Sequence, residues 1–276
     1  MVEVTAVTAP VRPESEVREH LQIGGPALVA LSGGVDSSLV AAIAYEALGP
    51  RAIAVTLSGP AVAHREVDRA RRVAEFLGIS HTVVEVDPLS RTEYRTNPPN
   101  RCYFCRTVET SVLRTYGDPR GIRQYLDGIH LDDLAEYRPG VRAMDEAGFC
   151  HPLVWAGWRK SDVRAAARSR DLPNWDQPSD ACLASRVAHG EPISRDLLSR
   201  VGAAEEFLHA RGFRRVRVRT RGSAGRIEVD PDEVARLRSE PLAREVVAHL
   251  RTLGFDPVTI DPEGYGANRS GARPNP

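Results

Sequence analysis

The run Ser32-Gly33-Gly34-Val35-Asp36-Ser37-Ser38 constrains this chain more than any other segment. It follows the apolar stretch Pro26–Leu31, which reads as a buried strand, and leads into the helical stretch Leu39–Leu48. A glycine-rich turn between a strand and a helix aims backbone N–H groups and the positive end of the helix dipole at one pocket, which suits phosphate. The glycines permit close approach, and the three hydroxyls add donors. The spacing is neither G-x-G-x-x-G nor G-x-x-x-x-G-K-[ST]. Asp36 would repel a bare phosphate, so its place is beside magnesium or a ribose.

Around this loop, short apolar segments alternate with helices. Strands are expected at 51–57 and 81–86 and a strand end at 125–128, with helices over 65–77, 107–116, 132–148 and 160–170, the last entered through Ser161. This order predicts an α/β fold, a parallel sheet covered by helices on both faces. Beyond about residue 190 the pattern becomes α-β-β-α-β, a small α+β domain. The expected division is a flexible arm over 1–14, a main domain over 15–190 with a cysteine-bearing insertion, a small substrate or oligomerisation domain over 191–264, and a tail over 265–276.

Lys+Arg and Asp+Glu each total 37, so bulk charge gives no reason to expect nucleic-acid binding. Lys160 is the only lysine, which predicts that phosphate is bound by arginine or backbone. No apolar run is long enough to cross a membrane and the N-terminus lacks a secretory pattern, so a cytoplasmic protein is expected.

The segment LSGGVDSSLV resembles the pyrophosphate-binding loop of the PP-loop ATP pyrophosphatase superfamily, whose members cleave ATP between the α and β phosphates and adenylate a substrate. Further segments are similar to the LarE family of ATP-dependent sulfur transferases. These are Asn97-Pro-Pro-Asn-Arg-Cys-Tyr-Phe-Cys105, Asp127-Gly128, Asp132-Asp133-Leu134 with Tyr137-Arg-Pro-Gly140, Trp175-Asp-Gln-Pro178, Ala181-Cys-Leu-Ala-Ser-Arg186 and Asp261-Pro-Glu-Gly264. Where the family carries an asparagine before the paired aspartates, this chain has Ile129-His130-Leu131. The resemblance implies an adenine nucleotide α-hydrolase-like sheet. It also implies conversion of carboxylates of a pyridinium mononucleotide into thiocarboxylates, for the nickel-pincer nucleotide cofactor.

Cys102 and Cys105 are spaced to ligate one metal centre, and with Cys182 could hold a [4Fe–4S] cluster by three irons. The resemblance offers a second sulfur source, sacrifice of Cys182 itself. Structural zinc, with His151 or Cys150 as fourth ligand, is an alternative; Cys150 otherwise reads as buried and apolar. Asp36, Cys182 and Arg186 are expected at the reaction, with ATP and Mg2+ held by Ser32–Ser38, Asp127, Gly128 and Arg138. Arg101, Asp132, Asp133, Arg217, Arg219 and Glu228 are candidates for substrate. Arg215, Arg217, Arg219 and Arg221 share one strand face, and either lie exposed or bind substrate phosphate or a second subunit; Glu228 and Asp230 are placed to pair with them. Expected partners are the mononucleotide carboxylate, a sulfide or sulfur donor and further copies of the chain. A tRNA thiolase, an ammonia-dependent ligase and a non-catalytic ATP-binding module are the competing readings.

Overall fold

Strand β1 (Ala27–Ala30) is buried on both faces, which explains its unbroken apolar sequence. Ala27 and Val29 face one core with Leu39, Ile43 and Leu153, while Leu28 faces another with Leu113, Tyr125 and Phe149. The computed structural model describes residues 11–135 and 138–266; the remainder of the expected arm and tail, and Tyr137, lie outside them.

The chain divides into two compact units. The first runs to Tyr94 and resumes over Asn100–Asp180; the second takes in Arg95–Pro99 and everything from Ala181. In the first, β1, β2 (Ala52–Ser58), β3 (Ser80–Glu85) and β4 (Gln124–Leu126) form a parallel sheet in the order β3-β2-β1-β4. Helices α1 (Glu14–Gly24), α2 (Val35–Leu48) and α3 (His64–Leu77) come first, then α4 (Thr92–Arg95), which ends at the division, and α5 (Arg101–Gly117). Short helices α6 (Leu131–Leu134), α7 (Pro139–Glu146) and α8 (Pro152–Trp155) precede α9 (Lys160–Arg168). Helix α2 is apolar almost all round because it lies within the larger core.

Several expected elements are corrected. Helix α5 begins at Arg101, so Cys102 and Cys105 belong to its first turns and not to an insertion ahead of it. The helix expected over 132–148 is broken: Pro139 opens α7 and holds Arg138 out of helical geometry (φ −124°, ψ 84°). Helix α9 is capped at Arg159, whose N–H donates to Asp162, and Ser161 lies inside it. Cys150 is exposed.

In the second unit, α10 (Arg195–His209), α11 (Val234–Arg238) and α12 (Leu242–Thr252) accompany β5 (Val216–Arg221), β6 (Ala224–Val229) and β7 (Val258–Ile260). Strands β5 and β6 are antiparallel, and β7 joins β6 in parallel. The arginine face of β5 is not simply solvent-exposed: Arg217 is 2% exposed. Cross-strand pairing is present, with Arg215 on Asp230 at 2.9 Å and Arg219 on Glu228 at 3.0 Å, and Glu228 also receives Arg226 of its own strand at 2.8 Å. Among the described residues no helix is long and apolar enough to cross a membrane.

Strand order reverses between β1 and β4, and open parallel sheets bind ligands at the carboxyl ends beside such a reversal. Here β4 runs into Asp127-Gly128. A Cβ on Gly128 would stand 2.6 Å from the Ser37 nitrogen and 3.0 Å from Asp36 Cβ. Gly128→Ala should therefore cost about 1–3 kcal/mol by overpacking and displace the glycine-rich turn. A thermal melt lowered together with weakened nucleotide binding would bear this out; a variant normal in both would show that the turn yields freely.

Candidate active site

Ser32–Ser38 joins β1 to α2 at that reversal point. Gly33 has φ +79°, and a Cβ there would lie 2.6 Å from the Glu66 carbonyl on α3, so glycine is required twice over. The first amides of α2 have no partner further back in the helix and are available to an anion. Ser37 and Ser38, expected as ligand donors, are buried and bind the turn to itself. Both hydroxyls donate to the Gly34 carbonyl, at 3.1 and 2.8 Å, and Ser37 Oγ lies 3.0 Å from Ser32 Oγ. Ser32 alone of the three is exposed. Asn174, 3% exposed, closes the turn from behind: its Nδ2 donates to the Gly33 carbonyl and to Ser38 Oγ, each at 2.9 Å.

The chain's single lysine stands in this site. Lys160 Nζ donates to both oxygens of Asp36 at 2.6 Å, from the first position of α9. Sequence alone offered Lys160 no place beside the loop; the fold puts it on the loop's one carboxylate. Asp132 fixes that helix start, accepting from the Lys160 N–H at 2.8 Å and from Arg159 Nη1 at 2.7 Å. The Lys160 amide, against some burial, and then Arg159 hold Asp132 below the usual carboxylate range. Asp133 accepts from the His130 N–H at 3.1 Å and pairs with Arg138 at 2.8 Å, which makes it a helix cap. His130 Nε2 lies 3.9 Å from Asp36. Its position in the sequence, just before the paired aspartates, was the available signal; for Lys160 the signal was its uniqueness.

At the end of β4, Asp127 Oδ1 accepts from the Ile129 N–H at 3.0 Å and from His151 Nδ1 at 2.8 Å. His151 Nε2 donates to Asp145 at 2.9 Å. Both ring nitrogens are therefore taken, which corrects the idea of His151 as a zinc ligand. Burial alone would lower the His151 pKa, but Asp127 and then Asp145 overcome it and push it up to about 9.

The Cys102 and Cys105 side chains lie one turn apart on α5, Cys102 exposed and Cys105 half-buried, with Cys105 Sγ donating to Glu109 at 3.2 Å. A Cβ on Gly140 would meet Cys102 Cβ at 3.6 Å, so α7 starts against this pair. The charge of Glu109, 2.6 Å away, reinforces the basicity of Arg106. Arg101 is buried in the same first turn. Two thiols on one helical face suit two ligands of a cluster. Among the described residues, no group of three or more His, Cys, Asp or Glu side chains is arranged to hold a metal ion.

In the second unit, Cys182 is half-buried and leads into the turn Leu183–Arg186. Arg186, expected at the reaction, is 2% exposed and committed to the protein. It grips Glu205 at 2.7 and 2.8 Å and donates to the Ala181 carbonyl and, at 3.0 Å, to that of Cys182. It holds the backbone that carries Cys182.

Comparison with known proteins agrees with this architecture. The asparagine synthase family model matches residues 14–96, the segment that contains the loop. The uncharacterized protein slr1717 of Synechocystis is 38% identical over 88% of this chain and 91% of its own length. Pyridinium-3,5-bisthiocarboxylic acid mononucleotide synthase of Lactiplantibacillus plantarum is 35% identical over 87% of each chain. The chain belongs to the LarE family of ATP-dependent sulfurtransferases. The tRNA-specific 2-thiouridylase MnmA of Azorhizobium caulinodans is 30% identical over 71% of this chain and 59% of its own length. The central sheet is accordingly of the adenine nucleotide α-hydrolase kind shared by PP-loop enzymes.

Two expectations follow from this LarE-family site. Lys160→Gln should weaken ATP binding about tenfold or more, the loss of a charge-assisted contact. Because the Asp36–Lys160 pair is partly exposed, it should change stability by no more than ~1 kcal/mol; calorimetric titration and a melt read the two effects apart. His151 supplies the second. Its folded pKa, about 9, lies above its ordinary 6.5. Its stabilisation is thus fully present below the ordinary value and is lost as pH rises through the folded one. Denaturant melts of the wild type should lose roughly 2–3 kcal/mol across that window, and His151→Gln should lack this component.

Proposed function

We infer that this protein adenylates a carboxylate of a pyridinium mononucleotide with ATP and then exchanges the activated oxygen for sulfur. The observation that carries the reading lies within one folded unit. The end of β4 brings Gly128 against the phosphate loop, and Cys102 and Cys105 lie one turn apart on α5 of the same unit. One folded unit thus carries both a phosphate-type turn and a pair of thiols. The named relative in Lactiplantibacillus plantarum supports the mononucleotide as acceptor.

ATP binds with its β and γ phosphates on the N–H groups of the loop and the first turn of α2. The substrate carboxylate attacks the α-phosphate, an acyl adenylate forms, and pyrophosphate leaves into the same amides, which stabilise its charge. Asp36 is the carboxylate placed to hold magnesium, which would neutralise phosphate charge when bound; carboxylate oxygen suits that ion. Lys160 must first release Asp36, and its ammonium is then free for a phosphate oxygen. A hydrosulfide-level donor next attacks the activated carbonyl; the C–O bond to AMP breaks and the thiocarboxylate forms. Cys102, Cys105 and Cys182 would hold a [4Fe–4S] cluster, which supplies sulfur-binding iron when present. The Arg186 clamp would keep the Cys182 backbone in place for either a ligand or a sacrificial role.

Asp36→Asn should lower pyrophosphate release from ATP and the pyridinium dicarboxylate mononucleotide by about a hundredfold, since it removes the cation's ligand. Cys102→Ala and Cys105→Ala should retain pyrophosphate release yet lose iron after anaerobic purification. Normal pyrophosphate release by the Asp36 variant would refute the adenylation site. Loss of the mass of one hydrogen sulfide molecule from Cys182 per turnover would instead assign the sulfur to that residue.

A further inference from the structure

His151 lies outside the phosphate loop, yet its ring is fully committed at the carboxyl end of the parallel sheet. Its two nitrogens grip Asp127 at 2.8 Å and Asp145 at 2.9 Å, and the Ile129 N–H shares the same Asp127 oxygen at 3.0 Å. The other oxygen of Asp127 is different. The residue is 6% exposed, and its Oδ2 is buried with no hydrogen-bond partner. Such an atom is costly to bury unless a ligand brings it a donor.

The surroundings select the donor. The Ile129 N–H and His151, itself held by Asp145, already occupy Oδ1, so Asp127 has one buried oxygen left for a single further donor. A divalent cation needs several oxygen ligands, and among the described residues no such group is gathered here, whereas a hydroxyl is satisfied by one acceptor. Carboxylates at strand ends of open α/β sheets accept ribose hydroxyls in this way. The next residue, Gly128, lies against Asp36 and Ser37, so Asp127 stands one residue from the phosphate loop.

We propose that Oδ2 of Asp127 accepts a ribose hydroxyl from a nucleotide seated at the phosphate loop, and that His151 is the positioning residue that presents this oxygen. The proposal rests on the nucleotide site inferred above. The ribose belongs to ATP or to the acceptor mononucleotide, and both carry the same chemistry. Asp145 anchors the far side of His151 from a more exposed position, its side chain being 59% accessible.

The test compares ribose and deoxyribose forms by calorimetry on the full chain, with ATP against 2′-deoxy-ATP and 3′-deoxy-ATP, and nicotinate mononucleotide against its 2′-deoxy and 3′-deoxy forms. One of the two families should show a deoxy form binding about tenfold more weakly, the worth of a hydrogen bond to a charged group. That ratio should fall to about one in Asp127→Asn and to an intermediate value in His151→Gln. Asp145→Asn, the mildest change, should move the ratio in the same direction and serves should the histidine variant fold poorly. A merely structural defect weakens both sugars equally and keeps the ratio, which would overturn the proposal. Equal binding of ribose and deoxyribose forms in the wild type would also overturn it, while leaving the nucleotide site standing. Failure of ATP to bind the wild type at all would remove both readings together.

Discussion

Everything at the candidate active site depends on two close backbone approaches and one buried side-chain amide that meet at a single turn. Gly33 touches the backbone of α3, Gly128 touches the first turn of α2, and Asn174 reaches the carbonyl of Gly33 from the segment after α9. None of these contacts tolerates an added carbon or a lost donor without movement. The amides that would meet phosphate are thus fixed before any nucleotide arrives, so little reorganisation is needed when charge develops on the leaving group. The hydroxyls of Ser37 and Ser38 are spent on the same rigidity. They serve the ligand indirectly, by holding the shape of the turn.

The fold was largely legible because its signals are local. An apolar strand, a glycine-rich turn and an apolar helix follow one another directly over Ala27–Leu48, and each later strand lies within a residue or two of its expected place. What escaped was governed by tertiary context. Helix α5 extends six residues earlier than its apolar periodicity indicates, because Cys102, Tyr103 and Phe104 give no amphipathic cue. The break at Pro139 was signalled by the proline itself and was overridden by the helical composition around it.

Site chemistry was legible where residue type alone implies it and obscure where partners decide it. The loop, the cysteine pair and the acidic residues near β4 all announce themselves in sequence. Whether an arginine is free or spent does not. Arg186 looks like a residue of the reaction until Glu205 is seen across from it, and that partner lies 19 residues away. His151 and Asn174 carry no motif; their importance comes from Asp127, Asp145 and Gly33, which only folding brings to them.

The use of arginine at every basic position but one has a practical side. Apart from the α-amino group, the only primary amine in the chain is Lys160, and it sits on Asp36. Amine-directed reagents, whether crosslinkers, fluorophores or activated resins, have no innocuous side chain to react with. A surface that captures proteins through lysine side chains would hold this one beside Asp36, and a dye on the lysine would report from that place.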